Sequence, residues 1–141
     1  MTSVVKKINE TIENIWITFE LKEGVYTTHK LNNQQYVLLT LIIRHPSLSP
    51  TELAEKMSVT KSAVSQQLAK LEREDYIVRK QSMEDKRSYT IELGGKGLHY
   101  KKEMEAFNHK LFEQYNANLS NLELEDISSA LEKLLGILKQ L

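Results

Sequence analysis

The 141 residues contain no cysteine, which excludes disulfides, thiolate zinc sites, cysteine nucleophiles and thiol-based redox sensing. A surplus of either charge is also missing. Nineteen Lys and Arg balance nineteen Asp and Glu, so a nucleic-acid partner cannot be argued from bulk attraction and any such case must be local. No apolar run approaches the roughly 18 residues of a membrane-spanning helix, and no membrane partner is expected. Two prolines and five glycines are too few for a fibrous or low-complexity chain; 40% hydrophobic and 27% charged residues describe a helix-rich globular protein. This length holds one ordinary domain, or a small core with helical extensions, and not two large domains. Residues 1–13 carry Lys, Glu and Asn where a signal peptide needs an apolar centre. With cysteine absent as well, the expected location is cytoplasmic, with nothing cleaved or exported.

The zero total hides a polarity. Residues 1–55 sum to minus 1, 56–89 to plus 3, 90–102 to plus 2 and 103–141 to minus 4. A basic centre between acidic or neutral ends suits a central module that faces an anion.

Val5, Ile8, Ile12, Ile15, Trp16 and Phe19 recur at three- and four-residue steps, predicting an amphipathic helix over 4–22. Asn32 with Gln35 three residues on opens a second helix that runs to Arg44; its body, 36–43, is apolar almost all round and is expected to be buried on most sides. Ser49-Pro50-Thr51-Glu52 is a capping box with proline in the first turn, starting a short helix to Met57. After the break Ser58-Val59-Thr60, Thr60 can cap a further helix to about Glu74. Two short helices joined by a tight turn form the helix-turn-helix pattern.

Beyond Asp75 the period changes to two. Runs at 76–82 and 88–93 predict a β-hairpin whose tip is 83–87. Gly94, Gly95 and Gly97 are expected to break the strand before a long helix from about Lys96 to Asn116, and Ser120 to Glu123 boxes the start of a last helix. The fold class is thus mainly α with a small β-hairpin wing: a winged helix-turn-helix lobe plus a helical region.

In the second helix of the pair, Val64, Leu68, Leu71 and Asp75 define one side, and Ser62, Gln66, Ala69 and Arg73 the opposite one, with Ser65 and Lys70 on its shoulders. Small and amide side chains suit the DNA major groove, where Gln can pair bidentately with adenine and Ser can bond several bases. Thr60 and Lys61 at the helix start suit a phosphate. On an isolated helix a polar face of this kind is ordinarily just hydrated. Here it is followed by a hairpin with Lys86 and Arg87 at the tip, and an Arg so placed can enter a narrow A·T-rich minor groove. The expected DNA-contacting set is therefore Thr60, Lys61, Ser62, Ser65, Gln66, Lys70, Arg73, Lys86 and Arg87.

The run from Val59 to Glu72, followed by Asp85-Lys86-Arg87, Leu93 and Gly97, resembles the MarR family of bacterial transcription regulators. The helix order, the Leu31-Asn32 opening of the second helix and the Leu119-Ser120 opening of the last also match. The resemblance implies a homodimeric regulator, more often a repressor, bound to double-stranded DNA at a pseudo-palindrome. Residues 32–95 would be the DNA-binding domain, with 1–31 and 96–141 the helical dimerisation region. It further implies that Asp85 buttresses the wing while Arg87 enters the minor groove. Two positions depart from the family pattern: Asp75 stands where Gly usually follows the recognition helix, and Gly94 where Thr usually caps the helix after the wing.

Relatives often bind small phenolic or amphipathic molecules, for which Trp16, Phe19, His29 and Tyr36 are the candidates here, with ordinary core or interface packing the competing reading. Of the four histidines, His29, His45, His99 and His109, none pairs with another at metal-ligand spacing, so no metal or other cofactor is expected. Gly-rich phosphate loops and nucleophile elbows are absent, so no enzyme is expected. Two alternatives stand beside this reading: a winged-helix regulator from a metal-responsive family, and a winged-helix adaptor that binds protein and has lost DNA. The apolar stripes on the first helix and the last two exceed what one winged lobe can cover, which independently points to a second copy of the chain.

Overall fold

A computed structural model describes residues 3–22, 28–84 and 88–141. The elements are α1 (Ser3–Lys22), α2 (Asn33–Arg44), α3 (Pro50–Met57), α4 (Lys61–Arg73), β1 (Ile77–Gln81), β2 (Tyr89–Leu93), α5 (Gly95–Asn118) and α6 (Asn121–Leu138). The chain divides into two compact units, residues 1–104 and 105–141.

Side-chain caps set the helix starts. Asn32, Ser49 and Ser120 each accept from the backbone N–H three residues on, and Gln35, Glu52 and Glu123 each return a hydrogen bond to the cap N–H. These are the capping boxes read from the sequence. Thr60 accepts from Ala63 N at 3.1 Å and starts α4. The turn between α3 and α4 is made by Ser58, which takes a left-handed conformation at φ 55° and sends its N–H to Glu55 O.

The core of the first unit joins Leu38, Leu39 and Ile42 of α2, Leu53 and Ala54 of α3, and Val64, Leu68 and Leu71 of α4. Tyr76, Ile77, Ile91, Tyr100 and Met104 complete it. At about 25 cal/mol per Å² of apolar surface removed from water, residues of this size each contribute roughly 1.5–3 kcal/mol. Helix α2 is less enclosed than its composition predicts. Gln35, Leu38, Leu39 and Ile42 are buried, but Tyr36 and Val37 are exposed, because α3 and α4 cover one side of α2 only.

Strands β1 and β2 pair antiparallel, from Ile77 opposite Leu93 to Gln81 opposite Tyr89. Ile77 and Ile91 face inward, while Val78, Lys80, Thr90 and Glu92 are exposed, the alternation a half-buried ladder requires. The hairpin tip, Asp85, Lys86 and Arg87, lies outside the described residues.

Asp75 does not continue the inner side of α4. It stands past the helix end at φ 64°, exposed, in a Schellman turn: Asp75 N–H donates to Glu72 O at 3.1 Å and Tyr76 N–H to Leu71 O at 2.8 Å. A Cβ on Gly94 would lie 2.6 Å from Asp75 O and 2.9 Å from its Oδ1. The two family departures therefore lie in contact, through the Asp75 backbone oxygen first and its side chain second. The strand ends at Leu93 before the glycines, as expected, and Gly95 and Gly97 already lie in the helix that follows. They form the first turn of α5, where Lys96 N–H donates to Asp75 O and Gly94 N–H to Tyr76 O.

Candidate nucleic-acid interface

Helix α4 turns Val64, Leu68 and Leu71 into the core, which by helical geometry sends Ser62, Gln66 and Arg73 outward. These three side chains are exposed, as are Thr60, Lys61 and Lys70, while Ser65 and Ala69 are half-buried. The face predicted to meet bases is open to solvent. Lys61 lies beside the first-turn amides of α4, whose orphan N–H groups add their own positive potential. On the opposite flank Gln67 Nε2 donates to Gln34 Oε1 at 3.1 Å, linking α4 to the start of α2.

One wing support was missed in the sequence. Arg79, on the inward face of β1, donates from Nη2 and Nε to Glu72 Oε1 at 2.9 and 3.2 Å, and its backbone N–H donates to Glu72 Oε2 at 3.1 Å. The guanidinium carbon also lies 5.3 Å from the Tyr89 ring centre. Glu72 thus ties the end of α4 to both strands. Its signal was legible only in part: charge opposition is visible in the sequence, but the seven-residue separation has meaning only once the Schellman turn folds β1 back along α4.

These hydrogen bonds, the Arg79 side chain first and its backbone N–H second, hold the Glu72 carboxyl below its ordinary value of 4.5. A lowered folded-state value gives stability that is fully present above the unfolded value and is lost as pH falls through the folded one. Glu72→Gln is expected to cost under about 1 kcal/mol at neutral pH, because both partners are partly solvent-exposed. The cost should shrink when urea denaturation is repeated at acid pH, below the ordinary carboxyl value of 4.5. An equal cost at both pH values would mean that the carboxylate charge is not what joins wing to helix.

The candidate ligand residues occupy different surroundings. Trp16 is 65% exposed on α1, Tyr36 is exposed on α2, and Phe19 is half-buried. His29 is buried, its ring centre 5.3 Å from that of Tyr100 and 5.7 Å from that of Tyr76. The histidines do not all stay apart as their sequence spacing implied: His29 and His99 approach within 3.4 Å beside Glu103. His109 pairs at 3.0 Å with Glu113 on an exposed stretch of α5. No helix among the described residues is long and apolar enough to cross a membrane.

Residues 31–89 match the MarR family. The chain is 30% identical over 123 residues to the HTH-type transcriptional repressor YetL of Bacillus subtilis, an alignment covering 87% of this chain and 67% of that protein. Among solved structures, Streptococcus pneumoniae FabT in complex with DNA superposes with a TM-score of 0.79 at 23% identity, covering 96% of this chain and 98% of that one. Staphylococcus aureus MarR in complex with salicylate and kanamycin does so with a TM-score of 0.73 at 21% identity, covering 97% and 93%. The two structural likenesses carry the winged helix-turn-helix fold, the similarity to YetL carries the family, and the chain belongs to the MarR family of transcriptional regulators.

Proposed function

We propose that this protein acts as a homodimer on a pseudo-palindromic duplex, in the manner of a repressor, with α4 of each copy in the major groove. Ser62, Ser65 and Gln66 read bases; Thr60, Lys61, Lys70 and Arg73 hold phosphates. Lys86 and Arg87 reach the neighbouring minor groove, with Asp85 bracing the wing. The single observation that carries the reading is the open polar side of the capped helix α4, in a fold shared with a DNA-bound relative.

The test is duplex selection from a random pool, followed by anisotropy titration at two salt concentrations. Gln66→Ala is expected to weaken the selected duplex by about 1–3 kcal/mol and to relax preference at one base pair per half-site. Arg87→Ala should weaken A·T-flanked sites most. Lys61→Ala should lower affinity for every duplex and reduce the salt slope by about 1. A pool that yields no sequence preference, or a Gln66→Ala variant with the parent's preference, would overturn this reading.

Release by a small amphipathic or phenolic effector is the finer part of the proposal. Its support is the salicylate complex of the fold relative, together with the aromatic side chains Trp16, Phe19 and Tyr36. His29 is the weakest member of that set, because it is enclosed by Tyr76 and Tyr100.

A further inference from the structure

We propose that His29, His99 and Glu103 form a binding site for a divalent transition-metal ion of the zinc class. His29 lies in the segment ahead of α2; His99 and Glu103 sit one turn apart on α5, and all three belong to the 1–104 unit. His29 Nε2 stands 3.4 Å from His99 Nδ1 and 3.3 Å from Glu103 Oε2. Donor atoms of the three residues all fall within 4.8 Å of one another. In a tetrahedral zinc site with arms of about 2.1 Å, neighbouring ligand atoms are about 3.4 Å apart, which the His29–His99 and His29–Glu103 spacings match, while His99 meets Glu103 through its other nitrogen, Nε2 to Oε1 at 3.3 Å.

Three further features favour a cation over a simple hydrogen-bonded cluster. First, the other ring nitrogen of His29, Nδ1, lies 2.9 Å from the Tyr76 hydroxyl. A partner there holds the ring in place and, where Nδ1–H donates to the hydroxyl, presents Nε2 as a lone pair, the arrangement typical of metal-bound histidine. Second, the Oε2 atom of Glu103 is buried and accepts no hydrogen bond, although His29 Nε2 is only 3.3 Å away. A buried carboxylate oxygen without a hydrogen-bond partner is costly, and a cation bound between it and the imidazole nitrogen would satisfy it. Third, His29 is 8% exposed and wedged edge-on against Tyr100, whereas His99 is 61% exposed. One ligand is preorganised and another opens the site to solvent, giving an ion a way in.

The donor set selects the metal. Two imidazoles and one carboxylate suit Zn²⁺, Co²⁺ or Ni²⁺ better than Ca²⁺ or Mg²⁺, which require mostly oxygen, and the absence of cysteine disfavours Cu(I). Three protein ligands leave the fourth position open. The site is also wired to the reading head: Tyr76, which holds His29, closes the Schellman turn at the end of α4 through its bond to Leu71 O.

The test is calorimetric titration of the chelator-treated full chain with Zn²⁺, and absorption titration with Co²⁺, both without DNA, so that failure here is distinguishable from failure of the regulator reading. One ion per chain is expected, with the visible spectrum of four-coordinate Co²⁺. His99→Ala and Glu103→Gln should each weaken binding about 10–100-fold, with circular dichroism confirming that both variants fold. His109→Ala should leave affinity unchanged, since His109 and Glu113 supply only an exposed pair. Binding no tighter than about 1 mM, or a His99→Ala variant that binds like the parent, would overturn the proposal.

Discussion

Replacing Leu131 and Leu135 together by Glu is expected to split the proposed dimer into monomers and to lower affinity for the selected duplex by about 100-fold or more. Both side chains are over half exposed on α6, a helix that buries no residue, although Leu122, Ile127, Leu131, Leu135 and Leu138 recur along it. Helix α1 is in the same condition: Val4, Ile8, Ile12, Ile15 and Trp16 are all exposed, and it too buries none. Scattered apolar residues on a surface need no explanation, but periodic stripes on two whole helices do, because water penalises contiguous apolar area. A second copy presenting the same stripes is the economical cover. Two linked reading heads bind two half-sites with the second engagement effectively intramolecular, and dissociation forfeits that gain. Light scattering after size exclusion reads the first effect and anisotropy the second. The substitutions lie outside the 1–104 unit, so its circular dichroism should persist. A parent chain that elutes as a monomer at about 10 µM would end the dimer reading, and a variant that remains dimeric would remove α6 from the interface.

Gly97→Ala is expected to be the most damaging glycine-to-alanine change among the described residues. A Cβ at that position would fall 2.1 Å from the backbone oxygen of Tyr76 and 3.2 Å from Leu93 Cδ2. The clash cannot be relieved by a rotamer, since its partner is backbone held on both sides: Tyr76 N–H is bonded to Leu71 O, and Tyr76 O accepts from Gly94 N. Either the first turn of α5 withdraws or the Schellman turn opens. Overpacking of this kind costs about 2–3 kcal/mol, and at about 2–4 °C per kcal/mol for a chain of this size the melting temperature should fall by about 5–10 °C. A drop below about 2 °C in a thermal melt would mean that α5 can shift freely against the hairpin.

Local signals were legible wherever a side chain acts on its own neighbourhood. Asn32, Ser49, Thr60 and Ser120 cap the helices they were expected to cap, because a cap is decided by a hydroxyl or amide within three residues of an orphan N–H. The hairpin followed from β-branched alternation, and the outward side of α4 from the position of Val64, Leu68 and Leu71. The strand ends at Leu93, just before the glycines, as expected, but why the glycines are needed there was not legible. A conformational reading ignores what approaches a missing Cβ: Gly94 and Gly97 are needed because Asp75 and Tyr76 lie against them, not because their own backbone is unusual. The enclosure of α2 was likewise overestimated, since hydrophobicity all round a helix does not say which neighbours are present.

Composition, spacing and capping were therefore enough for the element order, the fold class and the outward placement of Ser62, Gln66 and Arg73, since each depends on contacts within a few residues. Folding alone brought His29 to His99 and Glu103 across some seventy residues, set Glu72 under Arg79, and merged the departures at Asp75 and Gly94 into one contact. The physical reason is the same in all three cases. Chain closure over such separations is governed by how the core packs, and no pairwise spacing in a linear sequence encodes it.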